Sequence, residues 1–354
     1  MRKLLTCLWV LLLGFSLQGC PDPGIHRQFL SKVFVGHNPS EIVYRSTPHM
    51  AYATVTGDNL VNVHMYKAAP INVGDQPVGL ALWQGGNRLY VVNTAGLSIS
   101  VIALSNDEFG NGNKTIGSIT DASFHNMGDA IVTEDGAHLY VVTDINAISI
   151  ISTATNTVLQ TFTDPSFNHP AHLVADTLYR FVFVSESMGN EVSVISTTTN
   201  TVIKTIGVGI SPNGMAQTPD GKWLFVVNSG SNSISVIDTG TLTVVRTVTD
   251  TSFNNPQRIA LPPECAYGFV SEYNSGYVSL ISQNALITGS GRAVMEDIHV
   301  GSEPDDLAVE YGEDCSNVGC DRFGIVDVVI KGEDVIAYID YTFIPEIHTE
   351  CFNR

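Results

Sequence analysis

The stretch Leu224–Val248, LFVVNSGSNSISVIDTGTLTVVRTV, decides the fold. Apolar and small polar residues alternate through it, the two-residue period of a strand with its sides in different surroundings. Clusters of Gly, Ser, Asn and Thr interrupt the alternation after Asn228 and after Asp238, where the chain must turn. β-Branched residues hold most of the apolar positions, and nothing in the stretch carries a reactive side chain. Three short antiparallel strands joined by tight turns are predicted.

The pattern recurs along nearly the whole chain. Aligned on a turn proline or its equivalent, seven units begin at HNPSEIV (His37), DQPVGLA (Asp75), HNMGDAI (His125), NHPAHLV (Asn168), ISPNGMA (Ile210), NNPQRIA (Asn254) and SEPDDLA (Ser302). Their spacing of about 40–50 residues suits a four-stranded propeller blade. After the proline comes a short strand and a turn such as EDG at Glu134 or PDG at Pro219. A strong strand follows (YVVN at Tyr90, FVVN at Phe225), then a third (SISVI at Ser98, EVSVI at Glu191) and a fourth (TNTVLQTF at Thr155, TNTVIKTI at Thr199). No helical period is evident after residue 20. One such sheet cannot hide both faces. Seven arranged radially bury each face against a neighbour, so an all-β, seven-bladed β-propeller of four-stranded antiparallel blades is predicted.

The units from Asp75 to Val248 closely resemble the YVTN-type β-propeller repeats of bacterial surface and periplasmic proteins. The resemblance implies the fold over nearly the whole mature chain. It implies little about activity, because one propeller hosts many functions. FLSKVFVG, Phe29–Gly36, precedes the first proline turn, where every other unit has its fourth strand. It is expected to pair with the last unit, FGIVDVVI at Phe323 and VIAYIDYTFI at Val335. The alternative is that the C-terminal segment completes its own sheet.

The first residues read as an export signal. MRK is basic, Leu4–Leu17 is an apolar run too short to span a bilayer comfortably, and LQGC ends at Cys20. This resembles the lipobox of bacterial lipoproteins, which implies a signal peptide over 1–19, lipidation of Cys20, a tether over 20–28 and a propeller over 29–354. An ordinary signal peptide cleaved nearby is the alternative. Acyl chains would anchor the protein in the cell envelope, facing the periplasm or the surface, and Pro21 after the cysteine favours the outer membrane by analogy. Cys265, Cys315, Cys320 and Cys351 then remain for disulfides; Cys315–Cys320 with Cys265–Cys351 is favoured over a pairing of Cys265 with Cys315 or Cys320. The formal net charge of −18 repels phosphate backbones, so nucleic acid is not an expected partner.

A propeller's recognition site sits at the axial mouth, where the loops leading into the innermost strands converge. Two places after the turn proline or its equivalent the units read Glu41, Gly79, Asp129, His172, Gly214, Arg258 and Asp306. Just before it they read Asn38, Gln76, Asn126, His169, Ser211, Asn255 and Glu303. Glu41, Asp129, His169, His172, Arg258, Glu303 and Asp306 are therefore the candidate ligand-binding residues. His125, Asp129, His169 and His172, from neighbouring units, could hold a divalent metal such as zinc or copper, the one cofactor suggested. Arg258 beside Glu303, Asp305 and Asp306 reads first as an internal ion pair. Glu310, Glu313, Asp314 and Asp321 lack the spacing of a calcium loop.

No nucleophile elbow, CxxC, HExxH, phosphate-cradling GxxxxGK or haem-attaching CxxCH occurs. The reading is a lipid-anchored, monomeric binding or protein-interaction scaffold whose partner is an envelope protein, a peptide or a glycan. The rivals are a lactonase-like hydrolase, a metal-binding accessory of a periplasmic redox pathway, and a structural surface-layer component.

Overall fold

The computed structural model describes residues 29–340 except 48, 65–67, 107–109, 264–265 and 318; side chains at 29–30, 64, 84 and 310–323 are not described. The signal segment, Cys20, the tether, Cys265 and Cys351 lie outside these residues. Cys315 and Cys320 are described in backbone only, so the disulfide pairings also lie outside.

Seven four-stranded antiparallel sheets form a propeller. The inner strands are Pro39–Ser46, Pro77–Trp83, Ala130–Val132, Pro170–Ala175, Pro212–Gln217, Pro256–Ala260 and Pro304–Asn317, for blades 1 to 7 in that order. In blades 1 to 6 the remaining strands follow outward in chain order. Blade 7 takes its outermost strand from the N-terminal end: Phe29–Phe34 pairs antiparallel with Val335–Asp340, Phe29 opposite Asp340 and Phe34 opposite Val335. The first of the two closures considered is the one adopted.

One apolar cluster fills each gap between neighbouring blades. Tyr90, Val101 and Ile119 of blade 2 meet Val132, Leu139 and Val141 of blade 3; Phe225 and Val236 of blade 5 meet Ile259 and Val270 of blade 6. Burying one such side chain is worth about 1.5–3 kcal/mol, and each blade supplies several to both sides. The gap between blades 7 and 1 is lined by smaller groups, including Ala51, Ala53 and Ala308. Polar contacts described below add to this joint.

Strand polarity gives the ring two unlike faces. The loop before each inner strand bonds the turn between the second and third strands of its blade: Thr56 N–H to Asn38 O, Thr94 to Gln76, Ser187 to His169, Ser229 to Ser211, Tyr273 to Asn255 and Lys331 to Glu303. In blade 3 the direction reverses, His125 N–H to Thr143 O. These loops and turns form the mouth face. The other turns form the opposite face, where Phe29 starts the first strand and the long Pro304–Asn317/Gly319–Ile330 hairpin projects.

The rim is kept irregular. In blades 2 to 5 the outer strand bulges at one apolar residue, Ile116, Leu159, Ile203 or Val245, each about half exposed. A bulge twists the free edge and breaks its ladder, which protects it from pairing with another chain.

One feature departs from the helix-free expectation. Gln283–Thr288 is a short helix in blade 6, capped by the Ser282 hydroxyl, which accepts from Ala285 N–H, and ended by Gly289 at φ 72°. Arg246 of blade 5 donates to the carbonyls of Ile287 and Thr288 at its C-terminus. A single turn is too short to show a period in sequence.

Candidate functional site

The turn proline and the residue before it aim the axial side chains. In six blades that preceding residue is left-handed, with φ from 51° at Ser211 to 60° at His169; only blade 3, with Met127 in place of proline, departs. Just after each proline the inner strand slips register against its neighbour, as between Pro39 and Ile42, Pro256 and Ile259, and Pro304 and Leu307. Such a bulge re-aims a side chain. Here it turns the residue two places after the proline towards the axis.

Glu41, Asp129, His172, Arg258 and Asp306 come together there from five blades. Arg258 Nε stands 3.5 Å from Asp306 Oδ1, and His172 Nε2 is 3.9 Å from Asp129 Oδ2. The Arg258 guanidinium also donates to Asn213 Oδ1. Each acid also reaches into the following blade. Glu41 accepts from Leu80 N–H at 3.1 Å, Asp129 from Leu173 N–H at 2.7 Å and Asp306 from Ile42 N–H at 2.7 Å. These carboxylates are inter-blade clasps as well as groups facing the axis. Gly79 and Gly214 fill the same position where blades approach closely: a Cβ at Gly214 would lie 2.6 Å from Gln257 O and 2.7 Å from Arg258 Cα.

Burial is the main electrostatic influence. It raises Asp129 and Asp306 to about 6 despite the nearby Arg258 charge. Glu41 is pushed well above the usual carboxylate range by burial and then by Asp129 and Asp306. His172 is driven well below its ordinary value by burial and by Arg258, and its Nδ1 has no hydrogen-bond partner. Burial opposes the Arg258 charge, but Asp306, Asp305, Asp129 and Glu41 outweigh it. The centre therefore presents one fixed cation, a neutral imidazole and carboxyls that are easily protonated.

The other candidates lie elsewhere. His169 and Glu303 precede prolines on the mouth face; His169 N–H bonds Ile145 O, and the exposed Glu303 faces the Tyr273 hydroxyl. His125 is exposed, with its ring on the carbonyl of Ser123 at 2.9 Å. The four proposed metal ligands, His125, Asp129, His169 and His172, are thus split between the face and the axis. No three His, Cys, Asp or Glu side chains are grouped to hold a metal among the described residues. Adjacent blades supply suitable donor types, but of these four only Asp129 and His172 come together at the axis. Asp305 pairs with Lys331 at 2.5 Å instead of joining Arg258 directly.

Two sets of polar residues escaped the sequence reading. The position one place after the proline carries Asn213 and Gln257, bonded to each other at 2.5 Å beside Arg258. The end of the second strand meets a buried serine of the third: Asn93 with Ser100, Thr143 with Ser149 and Asn228 with Ser235, each at 3.0 Å. In blades 4 and 6 this position is Glu186, near Ser193, and Glu272, near Ser279, both fully buried. The recurring final letter of YVVN, YVVT and FVSE, with a serine in the next strand, was the available signal.

The fold and the axial cluster define a class: a seven-bladed, four-stranded β-propeller with a polar centre. Residues 148–278 match the family model described as YNCE-like beta-propeller. No curated protein matches the chain. Among solved structures, hydrazine synthase of Kuenenia stuttgartiensis is similar at a TM-score of 0.70 and 14% identity, over 91% of this chain and 99% of that one. A streptogramin B lyase gives 0.67 and 14%, over 88% and 97%, and virginiamycin B lyase from Staphylococcus aureus gives 0.68 and 12%, over 89% and 99%. At such identities the likeness is one of fold.

Proposed function

We propose that the protein is a binding scaffold of the bacterial cell envelope, anchored by lipid at Cys20, which recognises an envelope protein, peptide or glycan at its mouth face. The observation that carries this reading is the meeting of Glu41, Asp129, His172, Arg258 and Asp306 at one axial centre. Their chemistry suits recognition: the carboxylates are engaged by backbone N–H groups, and Arg258 is held by Asp306 and Asn213. Photo-crosslinkers placed at mouth positions in intact cells should trap a reproducible partner that rim positions do not. Substituting Arg258 by Gln should reduce the yield, and the absence of any mouth-specific adduct would remove the reading.

A second reading is enzymatic. His172 is neutral at physiological pH, its unpaired Nδ1 can accept a hydrogen bond from a substrate, and two of the similar folds are lyases by name. Turnover of sugar lactones above the buffer rate, lost on His172→Ala or Asp129→Asn, would support it; rates equal to buffer would end it.

A further inference from the structure

Outside the axial centre, the unlike faces of the ring are its most informative feature. Six blades each present one exposed apolar side chain at or beside the mouth-face loops and turns: Phe34, Leu97, Ile145, Met188, Ile210 and Tyr277. Exposure reaches 62% at Phe34 and 65% at Met188, high enough for each to be covered by a partner. Hydrogen bonds link the loops and turns that carry three of them. His169 N–H bonds Ile145 O, Met188 N–H bonds Asn168 O, and Ser211 N–H bonds Asn190 Oδ1 beside Ile210. On the opposite face the exposed large apolar residues among those described are Leu178 and Tyr179, both in one turn.

Charge separates the faces in the same sense. The loops and turns of the mouth face in blades 2 to 6 contain Asp75, Asp121, Asp144, Asp164 and Asp250 but no Lys or Arg. The opposite face is mixed: in its turns Arg180 pairs with Asp176 and Lys222 with Asp220, and Arg292 lies in another turn. Scattered apolar residues are ordinary on a surface. Apolar side chains set among uncompensated acids are complementary to one kind of surface, basic and apolar together. A second copy docking face to face would place acid against acid.

We propose that the mouth face is a docking surface for a basic protein segment carrying apolar side chains; this rests on the scaffold reading and names its partner class. The segment lays its apolar groups on Ile145, Met188 and Ile210 while its Lys and Arg residues face the surrounding aspartates. The chain enters the ring at Phe29 on the opposite face, which leaves the mouth face clear of the start of the propeller.

The test titrates the full chain with a Lys/Leu amphipathic peptide, a Glu/Leu peptide of the same pattern, and phosphatidylglycerol vesicles. The Lys/Leu peptide should bind in a salt-sensitive way. Met188→Ser with Ile210→Ser, or Ile145→Lys alone, should weaken it by about tenfold or more, which is about 1.4 kcal/mol. Leu159→Ser on the rim and Leu178→Ser opposite should leave it unchanged, and matching melting temperatures establish that all variants fold. Failure of the Lys/Leu peptide to bind, equal binding of the Glu/Leu peptide, preference for vesicles, or equal loss in the rim variant overturns the proposal. Crosslinking that traps a mouth partner unaffected by Met188→Ser and Ile210→Ser would keep the scaffold reading and remove this surface.

Discussion

Asp306 Oδ2 accepts a hydrogen bond from Ile42 N–H at 2.7 Å, joining the last blade to the first across 264 positions of sequence. Asp334 Oδ1 makes a second such contact, accepting from Asn38 N–H at 2.8 Å. These bonds sit where the apolar joint is built partly from alanines. The joint between the two ends of the ring thus carries directed polar contacts of the same kind as those that link Glu41 to Leu80 and Asp129 to Leu173.

Asp306→Ala should therefore be costly. It leaves Ile42 N–H unpaired and Arg258 buried beside an empty place, and breaking a buried pair costs about 3–5 kcal/mol. Asp306→Asn keeps an acceptor for Ile42 and should cost clearly less. Chemical denaturation of both variants measures the difference; equal losses would mean that the backbone bond contributes little.

Removing residues 29–36 deletes the outer strand of blade 7 and exposes the strand Val335–Asp340. The cooperative melt should be lost, with dye-binding apolar surface appearing. A sharp transition near the parent temperature would show that three strands suffice for that blade.

Gly214→Ala should destabilise by about 1–3 kcal/mol, because the new Cβ meets the backbone of the next blade at Gln257 and Arg258. Gly207→Ala, where a Cβ meets nothing within 4 Å, is the control. Thermal melts of the pair distinguish close blade approach from a general effect of losing glycine.

Glu272 gives a pH signature. Burial is the largest influence raising it from 4.5 to about 8, and Oε1 has no hydrogen-bond partner. Between those values the unfolded carboxyl has lost its proton while the folded one keeps it. The folded state binds more protons, so this group's contribution to stability declines as pH rises from about 4.5 to 8. Glu272→Gln should raise the melting temperature at pH 8 by several degrees, with the gain shrinking towards pH 4.5. Glu186, raised by burial to about 7, should behave alike over a narrower range. A pH-independent gain would point to packing instead of ionisation.

The repeat architecture was legible because it is a matter of period and punctuation. YVVN and SISVI each sit within one strand, TLTVVRTV runs from a turn into the strand Thr243–Thr249, and the prolines mark inner strands in six blades. The convergence of Arg258 with Asp306 could be anticipated by counting from the proline, since the six blades with that proline each slip register just after it. Direction was harder. His169 and His172 are three residues apart, yet one lies in a left-handed loop residue and the other beyond the bulge. Nothing in HPAH states that difference. The backbone acceptance by Glu41, Asp129 and Asp306 was hidden for another reason: their donors, Leu80, Leu173 and Ile42, are apolar residues whose N–H groups are invisible to side-chain chemistry.

Because Phe29 and Asp340 are register partners, the two ends of the propeller lie one strand spacing apart, about 5 Å. The ring has no obligatory beginning. A circular permutant that joins these ends through a short linker and reopens the chain between the exposed Thr198 and Thr199 would keep every four-stranded blade. Evolution or an engineer could therefore move the two chain ends around the circumference without rebuilding the axis.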